Sequence, residues 1–76
     1  MEELLRILEG VIPGTDVEKE KALIDDGILD SFAIVGLVGE LSEAFDIEIG
    51  PKYLIPENFN SAAAIWEMIQ SIQNEG

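Results

Sequence analysis

The chain has 76 residues, 47% of them apolar, and sixteen acids against four bases give it a net charge of −12. That length allows one domain, residues 1–76, with a small core, and so apolar a composition is not that of a disordered chain. An acidic surface of this strength repels phosphate backbones, which argues against nucleic-acid binding; it either attracts partners with basic patches or simply keeps the chain in solution.

Histidine and cysteine are both absent, so the commonest general base and the strongest natural nucleophile are missing and an enzymatic role is not expected. A small secreted domain usually carries disulfides. No apolar run approaches the roughly 20 residues that span a bilayer. Met1-Glu2-Glu3 is acidic where a signal peptide would be basic. The expected location is therefore the cytoplasm, and the expected state a monomer.

From Glu2 to Val11, Leu4, Leu5, Ile7, Leu8 and Val11 recur at the spacing of one helix face, with Pro13-Gly14 ending the run. Gly14 to Asp30 holds no sustained period, apart from a turn or so within Glu18–Leu23. The stretch Leu23-Ile24-Asp25-Asp26-Gly27-Ile28-Leu29 alternates apolar pairs with turn residues and predicts an ordered loop whose apolar side chains dip into the core. A loop of this length in so small a domain is functional or well anchored.

A second helix is predicted from Asp30 or Ser31, either a good N-cap, to about Asp46. Val35, Val38, Leu41 and Phe45 are expected on its core stripe, flanked by Ile34, Leu37 and Phe32. Five apolar residues (Ile34, Val35, Leu37, Val38 and Leu41) spread wider than one stripe covers, so Ile34 is expected near the surface beside Phe32, Ala33 and Gly36, unless it packs on the preceding loop. Gly36 and Gly39 each weaken the helix and suggest close packing or a surface kept bare. Gly50 to Asn60 is irregular, with a short helical turn at Pro56-Glu57-Asn58-Phe59. A last helix runs from Asn60 or Ser61 to about Gln73, with Ala62, Ile65, Trp66, Ile69 and Ile72 on its apolar face and Met68 at the edge. The fold class is all-α: three main helices and one short one, with a long first loop.

The chemistry gathers at Asp25-Asp26-Gly27-Ile28-Leu29-Asp30-Ser31-Phe32. A hydroxyl stands at a helix start, where free N–H groups and the dipole favour an anion. Asp-Ser is also an ordinary way to begin a helix. In its context, however, the pair resembles the acyl carrier and peptidyl carrier family. Gly27-Ile28-Leu29-Asp30-Ser31-Phe32 is similar to that family's entry into its second helix, Asp46-Ile47-Glu48-Ile49 to the end of that helix, and Pro56-Glu57-Asn58-Phe59-Asn60-Ser61 with Ile65 to the entry into the last. The resemblance implies 4'-phosphopantetheine, taken from coenzyme A, on Ser31, with Asp30 as the motif neighbour. It implies a thioester-bound acyl or aminoacyl cargo and, as partners, a phosphopantetheinyl transferase, a loading ligase and downstream acyl-processing enzymes. It also gives the missing cysteine a meaning, because the arm would bring the thiol. The start of the second helix (Ala33, Ile34, Gly36 and Gly39, with the first acids at Glu40 and Glu43) resembles D-alanyl carrier proteins, or carriers dedicated to natural-product or lipid modification, more than carriers of fatty acid synthesis. Phe32, Ile34, Glu40 and Glu43 are the candidate partner-binding residues, the acids steering approach from the rim.

Two other readings compete. Asp25, Asp26 and Asp30 suggest calcium, but a calcium loop counted from Asp25 would need glycine at its sixth place and glutamate at its twelfth, where Asp30 and Gly36 stand. A helical interaction adaptor with no covalent cofactor stays open. Tyr53, in the loop before the last helix, is either a channel-lining residue or a half-buried anchor.

Overall fold

The computed structural model describes residues 1–75. Helix α1 spans Glu2–Val11, α2 Ser31–Phe45, α3 Pro56–Phe59 and α4 Ala62–Glu75, with a single 3-10 turn at Pro51–Tyr53 between α2 and α3. No strand occurs among the described residues, so the all-α class and the count of three main helices and one short one hold. Helix α1 packs on both α2 and α4, and α3 packs on α4.

The periodic faces explain the packing. Leu4 and Leu8 of α1, Leu37 and Leu41 of α2, Phe59 of α3, and Ile65 and Ile69 of α4 are almost wholly buried. The long first loop contributes Val17, Leu23 and Leu29 to the same core, with Ile24 and Ile28 packed against it. Burying each such aliphatic side chain stabilises the fold by about 1.5–3 kcal/mol. No polar or charged residue is buried among the described residues, so side-chain shape alone fixes the interior.

Several details differ from the sequence reading. Met68 lies in the core, while Trp66 is half-buried and meets Phe45 edge-on, their ring centroids 5.9 Å apart. The bulk of the indole suits the rim, and the flexible thioether fills the interior gap. Helix α4 runs two residues beyond Gln73, to Glu75, and its cap is Ser61, whose Oγ accepts the Ala64 N–H at 3.1 Å. Helix α2 ends with Asp46 in the left-handed conformation, and the Ile47 N–H reaches back to the Ser42 carbonyl at 3.1 Å, the bond that satisfies an orphan carbonyl at a helix end.

The net charge of −12 is held on a body of 33 × 23 × 19 Å. The two ion pairs among the described residues, Lys19–Asp16 at 4.0 Å and Lys52–Glu75 at 3.7 Å, are exposed and offset little of the repulsion. The melting temperature should therefore rise between low and moderate NaCl, as the screening length falls to about 10 Å. A gain of about 1 kcal/mol would shift it by about 4–8 °C in a domain this small. A flat or falling melting temperature would show that self-repulsion has little hold on stability.

Candidate functional site at the start of helix α2

The loop before α2 is built by its own turns. The Asp26 N–H donates to the Ala22 carbonyl at 2.7 Å and the Gly27 N–H to the Ile24 carbonyl at 3.0 Å. Gly27 takes φ +75°, with open space where a Cβ would stand, so backbone conformation rather than crowding calls for glycine there. The Leu29 N–H then closes back onto the Leu23 carbonyl at 2.8 Å. With Leu23 and Leu29 buried, both ends of the loop are anchored and the chain is delivered to Asp30 in a fixed place.

Asp30 is extended (φ −91°, ψ 177°) and caps α2, its Oδ1 accepting the Ala33 N–H at 2.8 Å. Such a cap stabilises a helix by about 1 kcal/mol. Ser31 is thus the first helical residue rather than the cap, and it is exposed. Its hydroxyl holds no structural bond among the described residues, and the Ser31 and Phe32 N–H groups have no acceptor there. A phosphodiester on Oγ fits this setting: the hydroxyl projects into solvent, and free N–H groups stand at the positive end of a 15-residue helix.

The candidate partner residues divide. Phe32 is 88% exposed and Val35 73% exposed, and Glu40 and Glu43 are exposed. Ile34 instead is half-buried. It lines an apolar cavity of about 120 Å³ with Ile24, Leu54, Ile55, Pro56 and Phe59. This corrects the expected faces of α2: Val35 leaves the core stripe for the surface, and Ile34 packs inward against the loop. At about 100° per residue, Ile34 lies about 60° from Leu37 and Val35 about 160° from it, so the buried stripe through Leu37 and Leu41 takes the first and excludes the second. The same arithmetic puts Phe32, Val35, Gly36, Gly39 and Glu43 on one exposed side, with Ser31 at one edge of it and Glu40, about 40° beyond Gly36, at the other. No Cβ built at Gly36 or Gly39 would meet another atom, so these glycines keep a surface bare and serve no close packing.

Tyr53 is a half-buried anchor. Its hydroxyl donates to the Glu75 carboxylate, and the Lys52 ammonium lies 5.0 Å from its ring centre. It borders a larger, open hollow of about 550 Å³ with Glu57, Asn58, Met68 and Ser71, none of which belongs to the Ser31 turn. The hydrogen bond to Glu75, with lesser desolvation and charge repulsion, holds the phenol pKa above its ordinary value. Its folded value is thus the higher one, so the contact's contribution is complete below about pH 10, the ordinary tyrosine value, and is lost as pH rises through the folded pKa. As the chain has one tyrosine, an ultraviolet titration reads it alone. Its midpoint should lie above that of the unfolded chain and fall in Glu75→Gln; equal midpoints would show that the contact does not persist in solution.

Asp25 and Asp26 are exposed, and no cluster of three or more potential metal ligands occurs among the described residues. No helix among them is long and apolar enough to cross a membrane. Sequence reading missed Asn60, which it treated only as a helix start. Its side-chain Oδ1 accepts the N–H groups of Ile24 and Asp25 at 3.0 and 3.2 Å, and its carbonyl accepts the Leu23 N–H at 2.8 Å.

No family model matches the chain. Among curated proteins it is similar to the D-alanyl carrier proteins of Lactococcus lactis subsp. lactis strain IL1403, at 35% identity, and of subsp. cremoris strain MG1363, at 36%. Each match covers 97% of this chain and 96% of the relative. It is 47% identical to the D-alanyl carrier protein of Bacillus cereus strain B4264 over 63% of each chain.

Proposed function

Since the chain belongs to the D-alanyl carrier protein family, and is thus a carrier rather than an enzyme, we propose that it carries an aminoacyl group, D-alanyl by the relatives' names, on a 4'-phosphopantetheine arm attached to Ser31. The observation that carries this reading is Ser31 itself: an exposed hydroxyl, released from capping by Asp30, at the first residue of α2. When bound, the arm supplies the thiol that this chain lacks, for a thioester.

The chain's own residues do the rest. The anchored loop and Asp30 hold Ser31 in place for a transferase that must bring its own base, because no histidine here could activate the hydroxyl. The cavity beside Ile34, at about 120 Å³, has room for a few carbons, which suits a small cargo. Phe32 and Val35 offer partners an apolar contact close to the arm, and the acids Glu40 and Glu43 steer basic surfaces toward it.

Co-expression with a broad-specificity phosphopantetheinyl transferase, followed by intact-mass measurement, tests the attachment. One added arm supports it; no added mass leaves a helical adaptor without a cofactor. Incubating the modified protein with a D-alanine-activating ligase then tests the cargo by a further gain of one aminoacyl group, with L-alanine and short fatty acids in parallel.

A further inference from the structure

We propose that Asn60 is a positioning residue for the loading of Ser31, a role that rests on the reading of Ser31 as the attachment point. Three consecutive amides ahead of the site are held by this one residue. The Leu23 N–H donates to its backbone carbonyl at 2.8 Å, and the Ile24 and Asp25 N–H groups donate to its side-chain Oδ1 at 3.0 and 3.2 Å. The tether continues toward the site, because the Leu23 carbonyl accepts the Leu29 N–H at 2.8 Å and Leu29 immediately precedes the capping Asp30. Through two residues, the junction of α3 and α4 thereby fixes where α2 begins.

The arrangement separates attachment from orientation. The backbone bond to Leu23 does not depend on the side chain at position 60. The bonds to Ile24 and Asp25 do, and they set the angle at which the loop leaves its anchor. The side-chain amide nitrogen has no acceptor among the described residues, so the structure uses the Asn60 side chain only as a double acceptor. A carboxylate can take that place, whereas an aliphatic side chain of similar size leaves the half-buried Ile24 N–H without an acceptor. In loading, Ser31 Oγ forms a bond to phosphorus and the diphosphate P–O bond of coenzyme A breaks. Adenosine 3',5'-bisphosphate leaves, and the hydroxyl proton passes to the transferase's base. An in-line displacement of this kind is sensitive to small errors in where the hydroxyl is presented.

The test is the rate of transferase loading of the full chain, at a temperature where circular dichroism shows each variant folded. Asn60→Leu should lower kcat/KM on the order of tenfold, and Asn60→Asp should restore it to within about twofold. Amide exchange at Ile24 and Asp25 should quicken in Asn60→Leu and stay slow in Asn60→Asp. A purely structural role would lower the melting temperature of Asn60→Leu and leave kcat/KM of the folded protein unchanged, and that result overturns the proposal. Should Asn60→Leu fail to fold, Asn60→Ser, whose side chain is too short to serve both amides, gives the same comparison. If the wild type itself takes no arm, the reading of Ser31 fails and this proposal with it; if wild type and Asn60→Leu load equally, this proposal alone fails.

Discussion

Ser31→Ala is expected to abolish attachment of the arm completely while leaving the fold within about 0.5 kcal/mol of wild type, the usual range for an exposed substitution with no structural role. Both halves follow from the cap. Asp30, not Ser31, accepts the Ala33 N–H, so the Ser31 hydroxyl can be removed without losing a helix-stabilising bond, and alanine is a good residue inside a first turn. The other serines are differently placed. Ser42 lies within α2 and is half-buried, Ser61 uses its Oγ to cap α4, and Ser71 sits inside α4. None follows an anchored loop at a helix start. Intact mass after co-expression with a transferase reads the outcome, and an arm found on Ser31→Ala would refute the assignment.

Replacing Gly36 and Gly39 together by alanine should stabilise the protein by about 2 kcal/mol, near 1 kcal/mol for each glycine inside a helix. For a domain of this size that is a rise of about 8–16 °C in melting temperature. Both positions are exposed within α2, and an added Cβ at either meets nothing, so no clash offsets the gain. The same change should slow transfer to or from partner enzymes on the order of tenfold, if they settle on the bare face between Phe32, Val35 and Glu43. A gain in stability with a loss in transfer cannot come from unfolding, so the opposite signs identify a docking surface. Unchanged transfer in the more stable variant would place docking elsewhere on the molecule.

The helices were legible in the sequence because their apolar residues recur at helical spacing and because Asp30, Ser61 and the prolines mark ends that local chemistry dictates. The Asp30-Ser31 junction was legible for the same reason. Which side of α2 faces inward was less so. Phe32, Ile34, Val35, Leu37, Val38 and Leu41 are all apolar, and only the positions of α1, the first loop and the segment from Leu54 to Phe59 decide that Ile34 turns in and Val35 out. Asn60 was opaque as a partner of the loop, since its bonds join residues 35 and 36 positions apart and nothing in the local pattern distinguishes an acceptor there from a helix cap. The exchange of Met68 for Trp66 in the core is likewise a matter of volume among assembled helices, which periodicity does not measure.

The edge-on contact of Trp66 with Phe45 gives the molecule a built-in optical gauge. The chain has a single tryptophan, and it touches the last residue of α2, about 21 Å along the helix axis from Ser31 at 1.5 Å per residue. Indole emission therefore registers the closure of α2 on α4 while staying remote from whatever is attached or exchanged at the other end. With no cysteine in the chain, a thiol-specific dye would label only a group added to the protein. Once free coenzyme A is removed, folding and the presence of the arm can thus be read on one sample by two separate signals, without introducing a reporter residue.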